Sequence, residues 1–341
     1  MTALIAFTRT GCQLGQRLAR TLGGTLWTTG RLSAELGLPS YGDLQAWTGE
    51  RFRDSEALIF ISASGIAVRS IAPFVRDKFS DPAVVSVDEL GRFAVPLLSG
   101  HVGGANALAQ QVAKITGGQA AVSTATDVQG KFAVDVWAKE QNLVLTSRKL
   151  AKAVSAALLD NEPVGLCSDF PIEGTLPAGL TQGTAEIGIC ISHTTEPKPF
   201  PRTLHLVPKA VTLGIGCRRG ASRDHLEDRL AAFLEAHALP EAAVIGLASI
   251  DLKKDEQGLL ELAQAHDWPI QFYPAEELAR EPGDFPPSHF VQKTTGVDNV
   301  CQRAAQRAGG TVFIPKTASD GVTFAAAMGN VTLIWAPSCP L

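Results

Sequence analysis

One rhythm constrains this chain more than any other feature: a short apolar run, a turn bearing glycine or serine, then residues spaced like a helix. ALIAFT gives way to CQLGQRLARTLGG, where Leu14, Leu18 and Leu22 recur four apart on one helical face. EALIFISASG is apolar almost to its end, as expected of a strand with both faces covered. IAVRSIAPFV reads as a short helix interrupted at Pro73, and DPAVVSVDELGRFAVPLLSG as two short strands around a turn at Gly91. ANALAQQVAKITGG is a helix closed by Gly117 and Gly118, and QAAVSTATD is the next strand and its turn. This alternation predicts a mainly parallel α/β sheet through about residue 135.

The rhythm weakens over residues 136–207, where a strand, a helix and another strand lead into a stretch mixing Pro, Gly and Thr. One further strand is expected around Ile187 to Ile191, and TEPKPFPRT is the best linker in the chain. The rhythm resumes in residues 208–341: AVTLGIGC and AVIGLASI are strands, Ser222 N-caps a helix, and GGTVFIPK and NVTLIWAP end the chain as strands. The expected fold class is therefore α/β, with two Rossmann-like α/β domains (1–135 and 208–341) around a smaller middle domain and linker (136–207).

Composition narrows the function classes. A net charge of -4 and a pI near 6.0 argue against a phosphate-tracking nucleic-acid surface. No apolar run approaches membrane-spanning length, and the N-terminal apolar stretch is too short for a signal sequence. The six cysteines, Cys12, Cys167, Cys190, Cys217, Cys301 and Cys339, are scattered without a C-x-x-C pair. That spacing reads as reduced thiols in a cytoplasmic protein, with no metal site of the protein's own.

Three glycine turns fall after a strand and before a helix, where an α/β sheet places its binding crevice. The first is Ser99-Gly100-His101-Val102-Gly103-Gly104-Ala105-Asn106. Backbone N–H groups at a helix N-terminus suit an anion or a developing oxyanion, and His101 beside them suits acid–base work near neutral pH. The alternative is a glycine-rich turn with an exposed histidine. The second turn, Gly214-Ile-Gly216-Cys-Arg218-Arg219-Gly220-Ala-Ser222-Arg223, sets arginines where carboxylate or phosphate groups are bound, or is a solvated basic turn. The third, Thr294 to Asn299, caps the helix that follows. Further polar groups end neighbouring strands: Ser62 and Ser64-Gly65 with Arg69, Asp77-Lys78 and Asp81, Asp88-Glu89, and Thr124-Ala125-Thr126-Asp127. A parallel sheet would bring its C-terminal strand ends, and so these residues, to one edge. No G-x-S-x-G elbow and no H-E-x-x-H helix occurs.

IFISASGIAVRSIAPFVRDKFSDPAVVSVDELGRFAVPLLSGHVGGANALAQQVA followed by STATDVQGKFAVD resembles the N-terminal region of the cobalt-precorrin-5A hydrolases of anaerobic cobalamin (vitamin B12) biosynthesis. LGIGCRRGAS, KTTGVDNVCQRAA and FIPKTASDGVTFAAA resemble that family's C-terminal domain, so the likeness spans nearly the whole chain in order. It implies an enzyme that opens the δ-lactone of cobalt-precorrin-5A and releases acetaldehyde to leave cobalt-precorrin-5B. It implies no cofactor, because cobalt arrives inside the tetrapyrrole substrate. Neighbouring pathway enzymes are the other partners it suggests, with no nucleic acid and no membrane.

Under that resemblance, water attacks the lactone carbonyl with His101, Asp88 or Glu89 as general base. The backbone of Gly103, Gly104 and Ala105 would hold the oxyanion. Substrate contacts are expected from Ser64, Gly65, Arg69, Gly100, Asn106, Thr126 and Asp127, with Arg69, Arg218 and Arg219 on peripheral carboxylates. Two other readings compete: a non-catalytic corrinoid carrier, and a nucleotide- or sugar-phosphate-binding α/β enzyme resting on the glycine turns alone.

Overall fold

The structure, a computed structural model, describes residues 1–77, 80–101 and 103–335. Of the residues named above, Lys78, Val102 and Cys339 lie outside the described residues. The chain divides into two compact units, residues 1–131 and 132–341.

The first unit is built on six strands: β1 (Thr2–Ala6), β2 (Thr25–Trp27), β3 (Ala57–Ile61), β4 (Ala83–Val87), β5 (Phe93–Leu98) and β6 (Gln119–Ala120). Their order is β2-β1-β3-β4-β5-β6. Apolar residues alternate between two layers. Leu4, Ala6, Ile59, Ile61, Val85 and Val87 meet the helices Arg9–Leu22 and Ala105–Thr116 on one face. Ala3, Ile5, Leu58, Phe60 and Val84 meet Trp47, Phe52, Ala67 and Ile71 on the other. Both faces of the sheet are covered, which is why these strands read as continuous apolar runs.

Strand direction decides where the chemistry falls. β1 to β4 run parallel, but β4 and β5 form an antiparallel pair, with Val84 opposite Leu98 and Val87 opposite Ala94. The connection between them, Asp88 to Arg92, is a hairpin turn too short for a crossover. β5 then pairs in parallel with β6 through the intervening helix Ala105–Thr116. The C-terminal ends of β5 and β6 therefore lie at the opposite sheet edge from those of β1, β3 and β4.

The second unit holds two five-stranded sheets. The first is made from β7 (Leu143–Leu145), β8 (Val164–Ser168), β10 (Leu180–Thr181), β11 (Ile187–Ile191) and β12 (Arg202–Pro208), with the short β9 (Ile172–Glu173) outside it. Its order is β10-β8-β11-β12-β7, parallel except for β7. The second sheet uses β13 (Val211–Cys217), β14 (Val244–Ile250), β15 (Ile270–Tyr273), β16 (Thr311–Ser319) and β17 (Val322–Met328), ordered β15-β14-β13-β17-β16. β18 (Leu333–Ile334) returns to pair with β9. Sequence rhythm passes over β17, although it is flanked by strands on both sides and nearly all buried; no helix separates it from β16, only a turn at Asp320-Gly321 with both residues left-handed. Glycine in β13 answers to packing: a Cβ on Gly214 would stand 1.8 Å from the Cys301 carbonyl oxygen of the helix Val300–Gly309.

Candidate functional site

The opening glycine turn is organised around one polar cluster. Asn106, buried in the first turn of its helix, donates from Nδ2 to Thr124 Oγ1 at 2.9 Å and to Asp127 Oδ2 at 2.8 Å. His101 Nε2 lies 2.8 Å from Thr126 Oγ1 and 3.1 Å from Asp127 Oδ2. The histidine side chain is 17% exposed and the aspartate 30%, so the pair is partly screened from water yet reachable. Asp127 Oδ2 thus collects hydrogen bonds from two residues and orients the imidazole. The Asp127 carboxylate can only accept, so it favours a proton on Nε2 of the ring.

The glycines of this turn serve the turn itself. A Cβ on Gly100 would meet Asn106 Oδ1 at 2.7 Å, and one on Gly103 would meet Ser99 Cβ at 2.2 Å. Gly104 has φ +89 and no neighbour within 4 Å, so its requirement is conformational. Ser99 is left-handed as well, at φ 55, and its buried hydroxyl donates to the Asp81 carbonyl at 2.9 Å. The expected oxyanion donors are in part already used: Gly104 N donates to His101 O and Ala105 N to Ser99 O. The loop closes on itself, and the oxyanion role of Gly104 and Ala105 is corrected accordingly.

Ser62, Ser64, Gly65, Asp88 and Glu89 sit at the other edge of the sheet, across the length of β4, roughly 16 Å for five residues. Asp88 accepts from Leu90 N at 3.0 Å and Phe93 N at 2.6 Å, so its carboxylate holds the β4–β5 hairpin. That employment removes Asp88 as a general base partnering the His101 cluster. Glu89 accepts from Thr8 Oγ1 at 2.7 Å. Asp88 and Glu89 line a cleft of about 320 Å³ with Thr8, Ser62 and Ile66, beside the switch between β1 and β3. Ser64 donates to Ser86 Oγ at 3.1 Å, and the Arg69 guanidinium folds back over Gly65. The expected convergence on one edge fails because β5 is antiparallel. The hairpin-length connection around Gly91 was the available signal.

In the second unit, Arg218 and Arg219 are exposed, and Arg218 lies against Gly321 of the β16–β17 turn. Beneath them Glu256, buried, accepts from Gly220 N at 2.5 Å and from Lys253 Nζ at 3.0 Å. Burial alone would raise the Glu256 carboxyl, but the Lys253 ammonium and the Gly220 N–H outweigh it and hold the group below the ordinary carboxylate range. Sequence reasoning missed both Lys253 and Glu256, which stand more than 30 residues from the turn they support. Asn299 caps its helix as expected, accepting from Gln302 N, while Asp298 is held low chiefly by the Arg303 hydrogen bond.

The comparisons with known proteins run in order along the chain, one family model in the first unit and two in the second. The family models described as Cobalamin synthesis G N-terminal, Cobalamin biosynthesis central region and Cobalamin synthesis G C-terminus match residues 46–127, 132–208 and 211–327. A cobalt-precorrin-5A hydrolase of Salmonella typhimurium is 39% identical over 89% of this chain and 90% of its own. The Priestia megaterium protein of the same name is 31% identical over 81% and 79%. Among solved structures, a putative cobalamin biosynthesis protein G homolog from Sulfolobus solfataricus aligns over 95% of this chain and 96% of its own, at 19% identity and TM-score 0.42. With three family models in register and hydrolase relatives matched along most of both chains, this chain belongs to the cobalt-precorrin-5A hydrolase family.

Proposed function

We infer that this protein is a cobalt-precorrin-5A hydrolase: it opens the δ-lactone of that corrinoid and releases acetaldehyde, leaving cobalt-precorrin-5B. The observation that carries the site assignment is the His101–Asp127 contact, braced by Asn106 and Thr126. His101 takes the proton of a water as the water adds to the lactone carbonyl, while Asp127 steadies the developing imidazolium. Collapse of the adduct breaks the ring C–O bond and gives a carboxylate and a hydroxyl. The hydroxyl then loses its proton, the adjoining C–C bond breaks with its electron pair retained by the macrocycle, and acetaldehyde leaves. One water is consumed, and cobalt enters and leaves with the substrate. Arg218 and Arg219, exposed on the second unit, are guanidiniums of the kind that bind carboxylates well.

The carrier and nucleotide readings have less support. Gly214 and Gly216 answer to Cys301 and Thr323 packed against them, so the nucleotide-like spacing has an internal cause. The deciding experiment supplies cobalt-precorrin-5A without oxygen and follows acetaldehyde with a coupled alcohol dehydrogenase, for wild type and His101→Ala. Stoichiometric acetaldehyde from wild type and its loss in the variant, with corrinoid binding retained, is the expected result. Acetaldehyde from both would sink the role of His101. Binding without acetaldehyde from either would establish a carrier.

A further inference from the structure

Two cysteines far apart in the chain become neighbours in the first sheet of the second unit. β8 and β11 run parallel in a register that sets Cys167 directly beside Cys190. Residues paired in this way point to the same face, and adjacent strands stand about 4.8 Å apart, inside the range of Cα separations a disulfide spans. The Cys167 thiol is close enough to bear on the titration of Cys190. They differ in access: Cys167 is exposed, whereas Cys190 is 1% exposed. Two residues earlier on the same face, Gly165 pairs with Gly188, and the Phe200 ring covers both at distances that leave no room for a Cβ. The sheet is therefore rigidly packed right up to the thiol pair. No group of three or more His, Cys, Asp or Glu able to hold a metal ion occurs among the described residues. The chemistry left to an exposed thiol on a buried one is exchange and oxidation.

We propose that Cys167 and Cys190 form a reversible dithiol–disulfide site, with Cys167 as the attacking thiol and Cys190 as the resolving one. The co-reactant is a low-molecular-weight disulfide such as oxidised glutathione. The Cys167 thiolate attacks one sulfur, that S–S bond breaks, and one glutathione thiolate leaves. Cys190 then gives up its proton, its thiolate attacks the Cys167 sulfur of the mixed disulfide, and the second glutathione leaves as thiolate. The protein loses two protons and two electrons, and the oxidant gains both to become two thiols.

Burial first, then the Cys167 thiol and the Asp169 carboxylate, push the Cys190 thiol up to about 12. The third group beside it is His205, its register partner on β12, whose Nε2 lies 2.5 Å from the Pro197 carbonyl oxygen. Resolution is consequently the slow step, and it accelerates about tenfold per pH unit near neutrality as the Cys190 thiolate fraction grows.

The test treats the full chain with oxidised glutathione and follows intact mass and peptide maps over time and pH. The expected course is one glutathione adduct on Cys167 that decays to a Cys167–Cys190 cross-link, reversed by dithiothreitol and faster at higher pH. Cys190→Ala should stop at the adduct, and Cys167→Ser should give no cross-link, with the folded state of each variant confirmed by circular dichroism. A stable adduct in wild type, no modification at Cys167, or a cross-link between other cysteines would overturn the proposal. None of these readouts depends on hydrolase activity, so their failure is distinct from failure of the functional assignment.

Discussion

The turn after β5 and the turn after β13 are both glycine-rich connections from a strand into a helix, but they are held from different directions. After β5 the support is near in sequence: Ser99, Asn106, Thr124 and Asp127 lock a loop whose glycines make room for its own side chains. A partly buried histidine is set on a carboxylate as a result. After β13 the support comes from a buried ion pair, Lys253 and Glu256, lying beneath a turn whose arginines project into solvent. One arrangement orients a titratable group, and the other presents fixed positive charge. Glycine content alone does not separate the two; the partner of each turn does.

The comparison breaks most severely at His101. Replacing it with alanine should lower kcat by about 10²–10⁴-fold, the usual contribution of a positioned base, with little change in corrinoid affinity. Asp127→Asn should lower kcat less, and should displace the pH–rate profile, because the neutral amide no longer stabilises the imidazolium.

At the other turn, Glu256→Ala should cost about 3 kcal/mol in the stability of its unit, measured by urea unfolding, because Lys253 is left largely buried without its partner. The folded carboxyl titrates below its unfolded value, so its stabilisation is complete above the ordinary carboxylate pKa and is lost as pH falls through the lower folded value. Glu256→Gln should flatten that acid dependence. An unchanged acid limb would show that the pair does not support the turn.

Glycine replacements grade the two causes of glycine use within one loop. Gly104→Ala should cost about 1–2 kcal/mol, the strain of a left-handed residue, since open space surrounds it. Gly103→Ala should cost more in melting temperature, because its Cβ would stand 2.2 Å from Ser99 Cβ. Equal effects would contradict the packing account. The smallest change is expected from Arg219→Ala: a rise in KM of roughly fivefold, equivalent to about 1 kcal/mol, at constant kcat, as befits an exposed charge that binds ground state and transition state alike.

Much of this architecture is legible in the chain because its causes are local. Leu14 and Leu18 announce the first helix, the apolar run at Ala57–Ile61 announces a two-faced strand, and Ser222 and Asn299 cap the helices they precede. The grouping of His101, Asn106, Thr126 and Asp127 was also within reach, since β5, its helix and β6 form one parallel unit in sequence order. β17 escaped because its partner β16 precedes it by a two-residue turn, outside the strand–helix rhythm.

What the chain determined by itself is periodicity, capping and turn chemistry, all set by residues within a few positions of one another. Tertiary structure alone decided which sheet edge each strand end occupies. It thereby separated Asp88 and Glu89 from His101 by reversing one strand. It also set Glu256 beneath Gly220 and Cys167 beside Cys190. The physical reason is that strand direction and register follow from burying apolar faces across the whole sheet, and no local window of sequence contains that sum.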